Sequence, residues 1–282
     1  MGVLNVTPDS FSDGGRLLSP QAVVDLAGAM IAEGADVLDL GGESTRPGGA
    51  PVSAAEECER VLPALQALRR AFPGAPVSID TYKATVAAAA VRAGADIVND
   101  VWGCLHGWTA DERRYASESM QRGESPASWR HSPMVETMAA LRCPVILMHN
   151  RPDRDYGDFW TDLMLDLRLS LAVARTAGVQ DNQIWLDPGF GFAKSPLHNL
   201  EVLKRLDRIV ALGRPVLLGT SRKSTIGLVL GAPVDDRLDG TAATIVWGIQ
   251  QGCQMVRVHD VAAMLRFVRV ADAIRAGLDW EP

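Results

Sequence analysis

One pattern constrains this chain more than any other. Short apolar runs that each end in a polar residue recur along its whole length, with an amphipathic segment between one run and the next. The runs are Gly2-Val3-Leu4 before Asn5, Val37-Leu38-Asp39-Leu40, Val77-Ser78-Ile79 before Asp80, and Ile97-Val98 before Asn99. Pro144-Val145-Ile146-Leu147-Met148, Ile184-Trp185-Leu186 before Asp187, Pro215-Val216-Leu217-Leu218-Gly219 and Met255-Val256 before Arg257 complete the series. The segments between them have helical spacing. Val23, Leu26, Ala27 and Met30 share one face, with Ser19 as cap and Gly34 as terminator. Ser53-Ala54-Ala55-Glu56 is a capping box before Val61, Leu65 and Leu68. Strands separated by helices must pair in parallel through right-handed crossovers. An open doubly wound sheet is the rival, but near-continuous apolar strands ending in polar residues favour closure. The expected fold is α/β, a single (β/α)8 TIM barrel, which takes about 250 residues. The 282 residues therefore read as one domain spanning 1–282.

The second, fourth and eighth strands echo one another: Gly-Ala-Asp, two apolar residues and a polar one recur as Gly34 to Asp39, Gly94 to Asn99 and, with substitutions, Gly252 to Arg257. Asp39, Asn99 and Arg257 occupy equivalent positions. In such barrels the functional residues stand at the C-terminal strand ends. Asn5, Asp39, Asp80, Asn99, Met148-His149-Asn150, Asp187, Lys223 and Arg257 all fall there. One region breaks the rhythm, a long insert after the fourth strand, about 103–132, carrying Trp108, Trp129, His106 and His131.

Net charge is −6 and no basic stripe suits nucleic acid. No apolar run approaches the roughly 20 residues of a membrane span. Cys58, Cys104, Cys143 and Cys253 are scattered, so neither a disulfide framework nor a zinc site is expected. With no signal peptide ahead of the first motif, the expected location is the cytoplasm.

Five sets of residues bear chemistry. Asn5 opens a polar loop, Asn5-Val6-Thr7-Pro8-Asp9-Ser10-Phe11-Ser12-Asp13-Gly14-Gly15, too long for a plain connector. Gly41-Gly42-Glu43-Ser44-Thr45-Arg46-Pro47-Gly48-Gly49 combines a close-approach backbone with an arginine that forks onto phosphate; alone, a flexible loop explains it equally well. Asp80 and Asp187 are acids at separate strand ends. One carboxylate accepts both donors of a 2-amino-4-oxopyrimidine edge, and Asn99 both donates and accepts; for any single Asp, an ion pair or cap is the plainer reading. Ser221-Arg222-Lys223-Ser224 opens a helix and suits an anion, or is a basic surface turn. Arg257 and His259 lie on the same side of a strand end and can meet an anion together.

Together these segments, with Leu147-Met148-His149, Asp187-Pro188-Gly189-Phe190-Gly191-Phe192-Ala193-Lys194-Ser195 and Val256-Arg257-Val258-His259-Asp260-Val261, resemble the dihydropteroate synthases, in order and over nearly the whole chain apart from the insert. The resemblance implies condensation of 6-hydroxymethyl-7,8-dihydropterin diphosphate with 4-aminobenzoate, giving 7,8-dihydropteroate and pyrophosphate with Mg2+. It implies pterin contacts from Asp80, Asn99, Met148, Asp187, Phe192, Gly219, Lys223 and Arg257. It assigns the diphosphate to Asn5, Thr45, Arg46, Arg257 and His259, with Asn5 also at the metal. It places 4-aminobenzoate, and the sulfonamide inhibitors that mimic it, against Phe11, Thr45, Pro47, Phe192 and Ser224. The catalytic work falls to Asp13, Arg46, Lys223, Arg257 and His259. A homodimer is implied as well. The rivals are a catalytically silent pterin-binding paralogue and a pterin-dependent methyltransferase domain of the same superfamily.

Overall fold

In the computed structural model, residues 1–7, 19–44, 51–124 and 132–281 are described. Among them the eight expected strands form: β1 Gly2–Asn5, β2 Leu38–Gly41, β3 Val77–Asp80, β4 Ile97–Asp100, β5 Val145–Met148, β6 Ile184–Asp187, β7 Leu217–Leu218 and β8 Met255–Val256. β1 to β6 pair in parallel in chain order, as do β7 and β8. Parallel bridges Leu186–Val216 and Gly2–Val258 join the two sheets at both seams. At the second seam, Val3 N donates to Val258 O at 3.0 Å and Val258 N to Met1 O at 2.9 Å. The strands thus close into a ring with no free edge, which is the barrel the strand pattern implies.

The described helices are α1 Pro20–Ala32, α2 Ala54–Ala71, α3 Ala84–Arg92, α4 Ala110–Gln121, α5 Pro133–Leu141, α6 Phe159–Thr176, α7 Pro196–Lys204, α8 Leu206–Val210, α9 Ser224–Leu230, α10 Leu238–Gln250 and α11 Val261–Ala276. Ser19 and Ser53 cap α1 and α2 by accepting from Ala22 N and Glu56 N. The core lies between strands and helices: Leu4, Leu40, Ile79, Val98, Leu147 and Leu186 are buried with Val23, Leu65, Val86 and Leu167 of the surrounding helices.

The long insert expected after β4 is present, and its described part is helical and packed. Asp100 turns the chain back at once, its carboxylate accepting from Trp102 N at 2.9 Å and Cys104 N at 2.7 Å. Gly103 sits at φ +53, where a Cβ would come within 2.7 Å of Met148 O. Leu105 and Trp108 are buried in the barrel core, and α4 packs on α6. The described part of the segment, 101–124, therefore belongs to the helical layer. Its helix begins at a readable signal, the capping box of Thr109 and Glu112. Trp129 and His131 lie outside the described residues.

Candidate active site

At the C-terminal end of the ring, the echo among three strands becomes a contact. Asn99 Nδ2 donates to Asp39 Oδ2 at 3.0 Å, and Arg257 Nε donates to the same oxygen at 2.6 Å. Arg257 reaches Asp80 Oδ2 through Nη2 at 3.1 Å. One guanidinium thus serves two carboxylates. Burial first, and then the charge of Asp39, raise the Asp80 pKa to about 8. Each member keeps a buried oxygen unpaired among the described residues: Asp39 Oδ1, Asp80 Oδ1 and Asn99 Oδ1.

Asp187 ends β6 beside Met148, its register partner on β5, and both are buried. Asp187 Oδ1 accepts from Gly189 N at 2.7 Å. Burial raises its pKa, against the pull of Lys223. Lys223 stands before α9, its Nζ donating to Phe190 O and lying 4.6 Å from the centre of the Phe192 ring. Burial lowers its pKa to about 8, with Asp187 opposing. Gly219 adjoins Arg257: a Cβ there would lie 3.8 Å from Arg257 Cβ. Asp80, Asn99, Asp187, Lys223, Arg257, Met148, Phe192 and Gly219 are all brought to this end of the barrel.

Asn5 stands across from Gly41 in the ladder. Its Oδ1 lies 3.1 Å from where a Gly41 Cβ would be, a position also 3.7 Å from Asp80 Oδ2. His259 Nδ1 lies 3.0 Å from Ser221 Oγ, which ties the strand-eight end to the Ser221-Arg222-Lys223-Ser224 turn. Ser224 is exposed. The base of the second loop is fixed, since Glu43 bonds Tyr82 Oη and Lys83 Nζ, and Lys83 also pairs with buried Glu57. Phe11, Asp13, Thr45, Arg46 and Pro47 lie outside the described residues.

Sequence reasoning placed Asp39 and His149 among the strand-end residues without giving either a specific role, and it gave Lys194 none. Asp39 had a signal in the strand echo. Lys194 had only its place in a motif, yet it is buried against His149.

A closed parallel barrel whose mouth holds unpaired acceptors beside two cations is the frame of a small-heterocycle enzyme. The family model for pterin binding enzymes matches residues 1–259, and the chain belongs to that family. It is 46% identical over 275 residues to the dihydropteroate synthase of Bacillus subtilis (strain 168), covering 97% of this chain and 87% of that protein. Among solved structures, it resembles dihydropteroate synthase from Clostridium difficile in the presence of pteroic acid, with TM-score 0.83 and 42% identity over 97% of this chain and 95% of that one. It also resembles Xanthomonas albilineans dihydropteroate synthase with 4-aminobenzoic acid, with TM-score 0.84 and 38% identity over 98% and 92%.

Proposed function

We propose that this chain is a dihydropteroate synthase, a transferase that joins 6-hydroxymethyl-7,8-dihydropterin diphosphate to 4-aminobenzoate and releases pyrophosphate. The observation that carries this reading at the site is the set of buried acceptors without partners among the described residues, Asp80 Oδ1 and Asn99 Oδ1, beside Asp187. A buried acceptor without a donor costs about 1–3 kcal/mol. A pterin edge supplies ring N–H and amino donors to all three residues. Those donors favour the ionised carboxylates, so binding draws the Asp80 pKa down. Arg257, Met148, Phe192 and Gly219 then bound the ring, and Lys223 leaves Phe190 O for a ring acceptor.

In the reaction, the amine nitrogen of 4-aminobenzoate forms a bond to the pterin methylene carbon. The carbon–oxygen bond to diphosphate breaks, and the amine loses a proton. The electron-rich pterin stabilises a methylene cation, so departure precedes attack. The protein must hold the departing anion, keep both partners aligned and exclude water. Arg257, His259 and Arg46 meet the diphosphate with Thr45. Asp13, Phe11, Pro47 and Ser224 complete the 4-aminobenzoate side with Phe192, and sulfonamides that share its aniline end compete there.

Among the described residues no three His, Cys, Asp or Glu side chains form a metal cluster. Mg2+ keeps waters and phosphate oxygens and needs only one or two protein oxygens, so the Asn5 amide at the mouth fits it. Bound there, the ion would neutralise diphosphate charge.

The chain reads as one barrel domain acting in the cytoplasm, a setting supported by its four free cysteines. Exposed Leu228, Val229 and Trp247 on α9 and α10 support a homodimer. The test is pyrophosphate release with both substrates present, and with each omitted in turn. Release that needs both identifies the synthase. Pterin binding without release would favour the silent paralogue, and methyl transfer would favour the methyltransferase.

A further inference from the structure

One series of titratable side chains takes no part in the reaction above: buried Lys194, His149 and Asp166, with half-buried Arg151 at its outer end. Lys194 Nζ lies 2.8 Å from His149 Nδ1, 3.0 Å from Gly189 O and 3.1 Å from Phe192 O. Burial lowers the Lys194 pKa to about 7, and in its ammonium form each of the three N–H groups has one acceptor here. Donation to Nδ1 requires a lone pair there, so the imidazole proton sits on Nε2, 3.1 Å from Asp166 Oδ2. Asp166 also accepts from Arg151 Nε at 2.6 Å. Burial first, and the Lys194 charge second, hold the His149 pKa down to about 4, which keeps the ring neutral near pH 7.

The two carbonyls that Lys194 binds bracket Gly189-Phe190-Gly191-Phe192, the turn leaving β6. Asp187 sits before this turn and Phe192 ends it. The turn has little room to shift. Gly189 is at φ +66, and a Cβ there would stand 1.9 Å from His149 O. Gly191 is at φ +87, and a Cβ there would stand 2.9 Å from Lys223 Cδ. Phe192 N closes it onto Gly189 O at 3.0 Å, and Gly189 N holds Asp187 Oδ1.

We propose that Lys194 is a positioning residue for the pterin slot: seated on His149, it fixes the carbonyls of Gly189 and Phe192 and so sets where Asp187 and Phe192 meet the ring. The inference rests on the synthase reading and deepens it, naming the buried group behind the ring contacts. It assigns Lys194 no contact with substrate.

The test compares Lys194→Met, which keeps length and loses all donors, with Lys194→Arg, which keeps the cation. Calorimetry measures 6-hydroxymethylpterin and inorganic pyrophosphate separately on each folded variant, with the Tm recorded. The Met variant should bind the pterin at least tenfold more weakly and pyrophosphate within twofold of the unaltered protein. The Arg variant should recover part of the pterin affinity. A lysine that only supports the fold would lower the Tm and move both ligands together or neither. Unchanged pterin affinity in a folded Met variant overturns the proposal. Should that variant not fold, the unaltered protein labelled with 15N-lysine gives a second reading. Its Lys194 15Nζ signal, assigned by its loss in Lys194→Arg, should shift with 6-hydroxymethylpterin and hold still with pyrophosphate; no shift with the pterin overturns the proposal. Dihydropteroate formation by the unaltered protein is measured alongside. Its absence sinks the synthase reading, whereas an active enzyme whose pterin affinity ignores Lys194 sinks only this inference.

Discussion

Two clusters of charge both act on the Asp187 carboxyl, one through Lys194 and one through Arg257, and are completed to different degrees. Around Lys194, each ammonium hydrogen has an acceptor, and Asp166 receives both His149 and Arg151. Around Arg257, each of Asp39, Asp80 and Asn99 keeps one buried oxygen unpaired among the described residues. Native interiors pair their buried polar atoms almost without exception. Single unpaired atoms also occur on Glu57, Ser78, Trp108, Arg113 and Arg214, but among the described residues only around Arg257 do three such acceptors gather at the strand ends, where donors from a ligand can reach them. The contrast separates the two roles, support and binding, without reference to residue type, since both clusters mix carboxylates with cations.

The strongest test of that contrast is Asp187→Asn. The substitution is nearly isosteric, so the fold should hold. An amide cannot accept both donors of the pterin edge. Calorimetry should show pterin affinity reduced at least hundredfold, about 3 kcal/mol for lost bonds to a charged group. Full affinity in this variant would remove Asp187 from the ring's contacts and leave the incomplete cluster to bind the ring alone. By contrast, His259→Ala should spare this ring affinity while slowing turnover, because its role is on the leaving group.

Asp39→Asn comes next. Asp39 is wholly buried and takes Arg257 Nε, so its loss leaves a partly buried guanidinium with Asp80 alone. Urea unfolding should report a stability loss of about 3 kcal/mol, the lower end for breaking a buried pair, since one partner survives. Pterin affinity should fall as Arg257 loses its aim. An unmoved urea midpoint would show that Asp80 alone answers the charge.

The sequence exposes the incomplete cluster better than the complete one, for physical reasons. Parallel strands covered on both faces read as continuous apolar runs, which made the barrel and its strand ends plain. Asp39, Asn99 and Arg257 interrupt those runs at equivalent places, so their convergence was already visible as a repeat. Lys194 has no such cue, because two of its partners are backbone carbonyls brought near by a turn rather than by spacing. α4 was hidden for another reason. Its sequence is polar, yet Arg113, Ser117 and Ser119 are buried, so no apolar face marked it; the Thr109–Glu112 box did. The motifs of the first two loops name Phe11, Asp13, Thr45, Arg46 and Pro47, which lie outside the described residues.

The complete cluster is tested by Asp166→Asn. Although burial alone would raise it, hydrogen bonds from His149 and Arg151 hold the Asp166 pKa down to about 2. Stability from a depressed carboxylate is present above its unfolded pKa of 3.8 and is lost as pH falls through 2. The variant should therefore be about 2 kcal/mol less stable at pH 7, with the deficit closing in acid. An asparagine oxygen still accepts from His149, so Lys194 keeps its seat and pterin affinity should stay within twofold. A tenfold loss would show that the Asp166 charge itself reaches the slot and would blur the line between the clusters.

The smallest effect is a slope. Asp80 in the incomplete cluster holds a proton up to about pH 8, against 3.8 in the unfolded chain. A raised folded-state pKa contributes stability that is full below 3.8 and is lost as pH rises through 8, because the unfolded chain has already released its proton. The steepest possible loss is about 1.4 kcal/mol per pH unit. Other groups act in the same range with the opposite sign. His149, depressed to about 4 from 6.5, adds stability as pH rises between those values. Lys194 and Lys223, depressed to about 7 and about 8, do so at higher pH. The informative quantity is therefore the difference between the unaltered protein and Asp80→Asn, read from urea midpoints between pH 6.5 and 8, above the His149 range. The unaltered protein should lose stability relative to the variant across that window. Saturating pterin should abolish the difference in slope, because its donors take the place of the proton on Asp80. Parallel pH profiles for the two unliganded proteins would mean that Arg257 already holds Asp80 ionised, leaving the unpaired oxygens of Asp39 and Asn99 as the only signs of an unfinished site.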